Sequence, residues 1–343
     1  MAAAEFPIRI RLQLSRTWLG AVIAALALAA SACSPASGRA TPGPLQPIIL
    51  QLRWTHNAQF AGFYAADQNG HYAEEGLQVS FVEGGAEVDL FKGVLEGTAQ
   101  FGIHGADALL AARAQGKPVQ AVAVIYRRSP TVFIALARSG IERPQDLVGQ
   151  TIQVGSGSGH IVLHAMLGRL GIDLDQVTEV PLTGDLDALL SGEVQVISGF
   201  LMDQPLRIEA AGEKANLIYP DDYGIHFYGD TLWTTDEFAD ANPDVVGRFL
   251  RASLQGWAWA VENPIEAGRR VGQYRPEAEL DQEAAKMRAS IPLVNTGEDY
   301  IGWMKPELWS GIETALRQQG VLTSPLDIET VYTLQFLEES YGK

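Results

Sequence analysis

The sequence has a single cysteine, Cys33, among its 343 residues, so it cannot form an intrachain disulfide. Its stability must therefore come from packed apolar cores, and a hydrophobic content of 47% is typical of a globular protein. The one long apolar run extends from Trp18 to Ala30 and is too short to span a bilayer. The remaining roughly 300 residues are enough for two domains of ordinary size.

The chain also has little positive charge. It carries 25 basic and 41 acidic side chains, for a formal net charge of −16. Residues 33–343 keep 22 of these basic and 40 of these acidic side chains, which gives −18 for that part. Such a surface repels phosphate backbones and anionic lipid head groups. We therefore expect no nucleic-acid partner, and membrane attachment has to come from a lipid anchor rather than from basic residues.

The first 32 residues have the pattern of a secretory signal peptide, with three arginines before the apolar run and small residues before Cys33. This arrangement resembles the lipobox of bacterial lipoproteins, in which the cysteine is lipidated. The alternative is a plain secretory signal with an incidental cysteine, but a free thiol is a liability in an oxidising compartment. We expect a signal peptide at 1–32, a lipidated flexible linker at 33–47, and an extracytoplasmic protein anchored to the outer face of the bacterial cytoplasmic membrane.

Beyond residue 47 the sequence alternates strand-like and helix-like segments. The strand-like segments are 48–52, 77–82, 100–103, 119–124, 132–137, 151–154, 177–180 and 194–197. The helix-like segments are 58–69, 88–96, 108–115, 160–170, 243–262, 281–288, 307–318 and 327–340. Repetition of strand, loop and helix predicts parallel sheets covered by helices. The pattern restarts near residue 151, which predicts two α/β lobes, with lobe 1 at 48–138 and 229–343 and lobe 2 at 139–228.

Ligands of open α/β sheets bind beyond the carboxyl ends of the strands. Loops of small and polar residues follow five of the predicted strands, and aromatic, amide and carboxylate groups there suit a flat heteroaromatic ligand. Each aromatic residue can equally belong to the core. The candidate ligand-binding residues are Trp54, Asn57, Phe60, Tyr64, Glu83, Gly85, Asp107, Tyr126, Ser156, Gly157, Ser158, His160, Asp203 and Tyr223.

The run of glycine and serine at 155–159 follows a strand and opens a helix. Its backbone N–H groups can bind an anionic or carbonyl oxygen, with the helix dipole behind them. The alternative is a tight strand-to-helix turn without a ligand. The run lacks the lysine of a P-loop and the downstream acid of a dinucleotide-binding fingerprint.

No motif indicates catalysis. The sequence has no Gly-x-Ser-x-Gly elbow, and its single cysteine is assigned to the anchor. His160 and His164 have a spacing that can chelate a metal, but no acid accompanies them in an HExxH arrangement. We therefore predict no enzyme activity, no cofactor and no metal site, and interpret His160 as a ligand contact.

Several segments together resemble solute-binding proteins of the sulfonate, nitrate and thiamine-precursor family. These segments are 54–66, 70–79, 101–103, 146–152 and 222–225. The resemblance implies a type II periplasmic-binding fold, in which two α/β lobes with a ligand cleft between them are joined by two crossings. It also implies delivery of the ligand to an ABC-transporter permease.

The sequence Asn-Ala-Gln-Phe-Ala-Gly-Phe-Tyr at 57–64 is most similar to family members that bind the thiamine precursor formylaminopyrimidine, and to relatives that bind riboflavin. The resemblance thus implies a monomeric binding protein for a small heteroaromatic vitamin or precursor. A small sulfonate or other anion held at 155–159 is the alternative ligand. The superfamily also contains hydroxymethylpyrimidine phosphate synthases, but the chain lacks their cysteine-rich iron motif. Where the family often has Asn-Glu-Pro, this chain has Met-Asp-Gln-Pro at 202–205.

Overall fold

The computed structural model describes residues 44–85, 87–155 and 157–343. The predicted signal peptide, Cys33, most of the linker and Ser156 lie outside these residues. No helix in the described ranges is both long enough and apolar enough to cross a membrane.

Within the described residues, ten strands form two sheets of five strands each, which confirms the predicted pair of α/β lobes. The strand order is β2-β1-β3-β10-β4 in the first sheet and β7-β6-β8-β5-β9 in the second. The strands are β1 Gln46–Gln51, β2 Leu77–Val82, β3 Phe101–Gly105, β4 Val119–Val124, β5 Thr131–Leu136, β6 Thr151–Val154, β7 Thr178–Pro181, β8 Val196–Phe200, β9 Ala215–Ile218 and β10 Asp230–Thr235.

Both sheets are mixed, so the prediction of parallel sheets is wrong for two strands. β10 runs antiparallel to β3 and β4, and β5 runs antiparallel to β8 and β9. Each of these strands enters its sheet directly from the other lobe, without the covering helix that sets a parallel direction. The first crossing lies at 125–130, so β5 belongs to the second sheet and not to lobe 1, where the predicted boundary at 138 placed it.

The helices cover both sheets and dominate the chain after residue 235. They are α1 Ala61–Gln68, α2 His71–Glu74, α3 Lys92–Leu95, α4 Ala106–Ala114, α5 Ser158–Arg169, α6 Asp187–Ser191, α7 Gln204–Ala210, α8 Asp236–Ala241, α9 Pro243–Glu262, α10 Pro264–Arg269, α11 Leu280–Val294, α12 Pro306–Gln318 and α13 Gln335–Tyr341. The bounds of α9 agree with the prediction. The helix predicted at 327–340 is shorter, because the 3-10 turn Ile328–Thr330, capped by Asp327, occupies its first part.

Helices α1 and α9 cross at two glycines. A Cβ atom on Gly62 would lie 2.0 Å from the ring of Trp257, and one on Gly256 would lie 2.2 Å from the carbonyl oxygen of Gly62. Only residues without a side chain allow the two helices to approach this closely. The contact anchors the C-terminal helices on the first lobe, where Trp257 and Phe63 pack edge to face.

We expect Gly256→Ala to destabilise the protein by about 1–3 kcal/mol, because the new methyl group meets backbone atoms that cannot rotate away. Gly311→Ala is the matched control, since a Cβ atom on this exposed glycine of α12 would have open space within 4 Å. The control should gain about 0.5–1 kcal/mol from helix propensity. Urea denaturation measures both changes, and equal effects of the two substitutions would contradict the close helix contact.

Candidate functional site

One small cleft lies between the two lobes and is lined by residues from both lobes, from the first crossing and from the second crossing, which spans 219–229 between β9 and β10. Its lining residues are Arg53, Gly105, Asp107, Ser129, Pro130, Thr131, Ser158, Phe200, Phe227, Tyr228 and Gly229. Arg53 and Asp107 follow the carboxyl ends of β1 and β3, and Phe200 ends β8. This position agrees with the rule that ligands of α/β sheets bind beyond the strand ends.

Arg53 is a charged side chain of this cleft, and it is held by a buried carboxylate. Its Nη1 donates to Oδ1 of Asp230 at 2.9 Å, and Oδ2 of Asp230 accepts from Nε2 of Gln59 at 2.7 Å. Burial raises the pKa of Asp230, while Arg53 and Gln59 act in the opposite direction. Across the cleft, the guanidinium carbon of Arg53 lies 5.8 Å from the ring centre of Phe200. The arginine is therefore fixed in front of an aromatic ring of the second lobe.

Asp107 and Ser158 connect the two lobes. The Ser158 hydroxyl donates to Oδ2 of Asp107 at 2.6 Å. Glycine at position 105 is needed for this arrangement, because a Cβ there would lie 2.3 Å from Oδ1 of Asp107. The sequence predicted Asp107 and Ser158 as site residues, and the structure brings them together.

A second connection between the lobes involves Asp203, another predicted site residue. Its Oδ1 lies 3.0 Å from Nζ of Lys286, which is on α11 of the first lobe. With both connections formed, the free volume within the lining residues is about 10 Å³. That space holds about one water molecule, so a ligand of vitamin size enters only when the lobes separate.

The predicted residues of the loops after β1 and β2 lie on the first lobe, outside the cleft lining. Trp54 is 48% exposed, and its carbonyl accepts from the N–H of Gly84 at 3.2 Å. Asn57 caps the turn Ala58–Phe60 by accepting from the N–H of Gln59. Glu83, next to Gly84 and Gly85, accepts from the backbone N–H of His56 at 2.7 Å. Hydrogen bonds thus join the loop after β1 directly to the loop after β2.

Three predicted aromatic residues, Phe60, Tyr64 and Tyr126, lie in the core without exposed surface. Tyr64 stacks on Tyr274 with ring centres 4.2 Å apart, and the Tyr126 hydroxyl donates to Oγ of Ser290 at 3.0 Å. In the described form these residues pack and do not line the cleft. Their contact with a ligand stays a prediction.

The remaining predicted residues lie on the second lobe. Tyr223 ends the 3-10 turn Pro220–Tyr223 and is partly buried against the core. Gly157 precedes α5 with a φ of 80°, which favours glycine. Its neighbour His160 is exposed and contacts Glu179 rather than the cleft lining.

Of the eleven residues that line the cleft, the sequence-based candidates contain Asp107 and Ser158 and omit the other nine, among them Arg53 and Phe200. The sequence does contain a signal that could have identified Arg53 as a site residue. It is a charged residue two positions after the apolar strand β1, where ligands of α/β sheets bind. Phe200 is the last residue of a buried strand and has no local pattern that separates it from a core aromatic residue. Its position becomes clear only from the pairing of β8 with β5.

His104 lies behind the cleft at the end of β3. Its ring stacks on Phe91 with centres 4.8 Å apart, and its Nδ1 accepts from the N–H of Gly105 at 2.8 Å. Burial, together with the positive charges of Arg53 and Lys117, lowers the pKa of His104 to about 3. The folded protein therefore holds this imidazole neutral.

A family model described as NMT1/THI5-like matches residues 57–267. The chain is 30% identical to riboflavin-binding protein RibY of Chloroflexus aurantiacus over 93% of its length and 96% of the relative. It is 27% identical to the formylaminopyrimidine-binding protein of Halalkalibacterium halodurans over 84% of this chain and 90% of the relative. It is also 25% identical to a 4-amino-5-hydroxymethyl-2-methylpyrimidine phosphate synthase of Legionella pneumophila, covering 85% and 93% of the two chains.

Among solved structures, the fold is similar to that of the periplasmic aliphatic sulphonate binding protein SsuA of Escherichia coli. The TM-score is 0.68 at 15% identity, and the match covers 85% of this chain and 99% of that one. At this identity the similarity concerns the fold alone. It confirms the predicted periplasmic-binding fold of two α/β lobes.

We expect the stability of the protein to fall on acidification because of His104. Its pKa is about 3 when folded against 6.5 for an ordinary histidine, so the unfolded chain binds a proton that the folded chain excludes. This contribution is complete above pH 6.5 and is lost as the pH falls towards 3. Urea denaturation at pH 7 and pH 5 should show a loss larger by about 1–2 kcal/mol in the wild type than in His104→Asn.

The asparagine variant keeps an acceptor for the N–H of Gly105 but cannot titrate. The comparison uses the difference between the two pH values, so the lost stacking on Phe91 does not affect it. Identical pH dependence in the two proteins would show that His104 titrates normally.

Proposed function

Because the chain belongs to the NMT1/THI5-like family, we propose that it is the extracytoplasmic solute-binding subunit of an ABC importer. The relatives named as binding proteins cover most of both chains, which supports a binding role for the whole described body. The cleft between two lobes supports the same role, since a ligand that contacts both lobes stabilises their closed arrangement.

The proposed ligand is a heteroaromatic vitamin or precursor, either riboflavin or a thiamine pyrimidine precursor. The observation that carries this proposal is the position of the Arg53 guanidinium opposite Phe200, with Asp107 and Ser158 beside them. The aromatic ring and the planar cation offer faces for stacking, and the carboxylate and hydroxyl offer partners for ring N–H and carbonyl groups. The names of two relatives, which refer to riboflavin and formylaminopyrimidine, support this ligand class.

A sulfonate or other small anion fits this cleft less well. The charge of Arg53 is compensated by Asp230, and Asp107 adds a negative charge next to it. An anionic ligand would have to displace one of these carboxylates or tolerate its repulsion. The glycine-serine turn before α5 offers backbone N–H groups, but it does not change this balance of side-chain charges.

A synthase activity is the second candidate, because one relative carries that name. The sequence argues against it, since Cys33 is the only cysteine and the synthases resembled here depend on a cysteine-rich iron motif. Of the usual general bases, the cleft lining contains one carboxylate, Asp107, and no histidine or lysine among the described residues. Binding without turnover is therefore the function that we propose.

The N-terminal pattern completes the proposal. Secretion through the signal at 1–32 and lipidation of Cys33 would tether the protein to the membrane that contains the permease. The segment 34–47 would act as a spacer, with its last residues already in β1. We propose that the protein acts as a monomer whose partners are this permease and the small ligand.

We expect Phe200→Ala to weaken binding of riboflavin or formylaminopyrimidine at least tenfold, which corresponds to about 1.4 kcal/mol, because a stacking surface is lost. Titration calorimetry with both compounds and with an alkanesulfonate measures the effect. Tyr300→Ala is the matched control, since Tyr300 is an exposed aromatic residue that does not line the cleft. Its affinity should equal that of the wild type.

Wild-type binding of neither heterocycle, at concentrations up to about 1 mM, would refute the proposed ligand class. Binding of the alkanesulfonate alone, unchanged by Phe200→Ala, would favour the anion as ligand. Conversion of the bound compound to a product would instead favour the enzyme.

We also expect saturating ligand to reduce the radius of gyration of the protein in solution. The contacts of Asp107 with Ser158 and of Lys286 with Asp203 form only when the lobes approach each other. With these contacts fully formed the cleft has no room for a vitamin, so a ligand that contacts both lobes should hold them closed around itself, in a form more compact than the open one. Small-angle X-ray scattering measures this change, and an unchanged radius with bound ligand would contradict closure around the site.

A further inference from the structure

Two histidines and a glutamate form a cluster on the second lobe, separate from the cleft lining. His160 and His164 are one turn apart on the same face of α5, with ring centres 3.8 Å apart. Glu179 lies opposite them on β7, which is the edge strand of the second sheet. The sequence showed the two histidines but not the acid, because the acid comes from a different element.

The carboxylate of Glu179 contacts both imidazole rings. Oε2 lies 2.8 Å from Nδ1 of His160, and Oε1 lies 2.6 Å from Nε2 of His164. One potential ligand atom from each of the three side chains lies within 4.8 Å of the other two. Within the described ranges, Glu179 has no ion pair with lysine or arginine, so no cation of the protein competes for this carboxylate.

This donor set has the chemistry of a transition-metal site. Two imidazole nitrogens and one carboxylate oxygen are a frequent set of three zinc ligands, with water at the fourth position. The three ligand atoms lie within 4.8 Å of one another, whereas ligand atoms about 2.0–2.1 Å from a tetrahedral zinc ion are roughly 3.3 Å apart, so shifts of about 1 Å would form the site. The His164 side chain is 15% exposed, whereas that of His160 is 51% exposed, so one ligand is held by packing while the other leaves a path from solvent.

We propose that His160, His164 and Glu179 bind a divalent transition-metal ion, with Zn²⁺ as the ion that fits these ligands. The ion joins α5 to the edge strand β7. His160 is in the first turn of α5, the same turn that carries Ser158 to the cleft. The metal therefore stiffens the wall of the second lobe that meets Asp107 when the lobes close.

The test is titration calorimetry of Zn²⁺ into the purified full protein without a histidine tag. We expect one ion per chain with a dissociation constant of about 10 µM or tighter. His160→Ala and Glu179→Gln should each weaken binding at least tenfold, since each removes one of three ligands. His160 is half exposed and glutamine preserves the size of Glu179, so neither change threatens folding.

His226→Ala is the matched control. His226 is also an exposed histidine bonded to an acid, Asp221, but it has no second histidine beside it. Its removal should leave zinc binding unchanged. Phe200→Ala should also leave it unchanged, which separates the metal site from the proposed function of the cleft.

Co²⁺ provides a second readout, because a four-coordinate site with nitrogen ligands gives visible absorption bands. The bands should appear with the wild type and the His226→Ala control, and should be absent in His160→Ala. Less than one ion per chain, or equal zinc affinity in the wild type and Glu179→Gln, would overturn the proposal. The cluster would then be only a pair of histidines hydrogen-bonded to a glutamate.

Discussion

The cleft depends on one buried carboxylate, that of Asp230, the first residue of β10. Its two side-chain oxygens hold Arg53 and Gln59, and its backbone carbonyl accepts from the N–H groups of Ile125 and Tyr126 at 2.7 and 3.1 Å. The first crossing, the second crossing and the end of β1 therefore meet at a single residue. Loss of Arg53 would leave a buried charge uncompensated, which costs several kcal/mol, and loss of Gln59 would leave a buried carboxylate oxygen without its donor, which costs about 1–3 kcal/mol. These costs favour a single arrangement of the Arg53, Gln59 and Asp230 side chains.

The buried contacts at Asp230 differ from the polar contacts across the gap between the lobes in how easily they can break. Asp230, Gln59 and the start of β10 are buried, whereas the contacts of Asp107 with Ser158 and of Asp203 with Lys286 cross the gap between lobes. The latter contacts are few and polar, and water can replace each of them. Neither contact is therefore a strong obstacle to the lobe movement that we propose for binding and release of the ligand.

Helices and strands with clear local signals could be predicted well from the sequence. Features that depend on residues far apart in the chain could not. Proline at the first position of α9 and its apolar periodicity fixed the bounds Pro243–Glu262. The direction of β5 and β10 depends on how the chain crosses between lobes, which no local pattern records. Arg53 and its partner Asp230 are separated by 177 residues, so their pairing is invisible to periodicity. Glu179 likewise reaches the two histidines of α5 only through the packing of β7 beside β6.

The glycine contact between α1 and α9 also bears on how the chain folds. The first lobe is built from both ends of the described chain, whereas the second sheet comes from the continuous stretch between β5 and β9. The second lobe can therefore assemble from neighbouring segments, while the core of the first lobe stays incomplete until α9 arrives. A chain that emerges N-terminus first can pair β1 with β2 and β3, but it lacks β10 and α9 until most of the chain is available. During the secretion that we propose, this delay would keep the first lobe from completing its core before the chain has passed through the membrane.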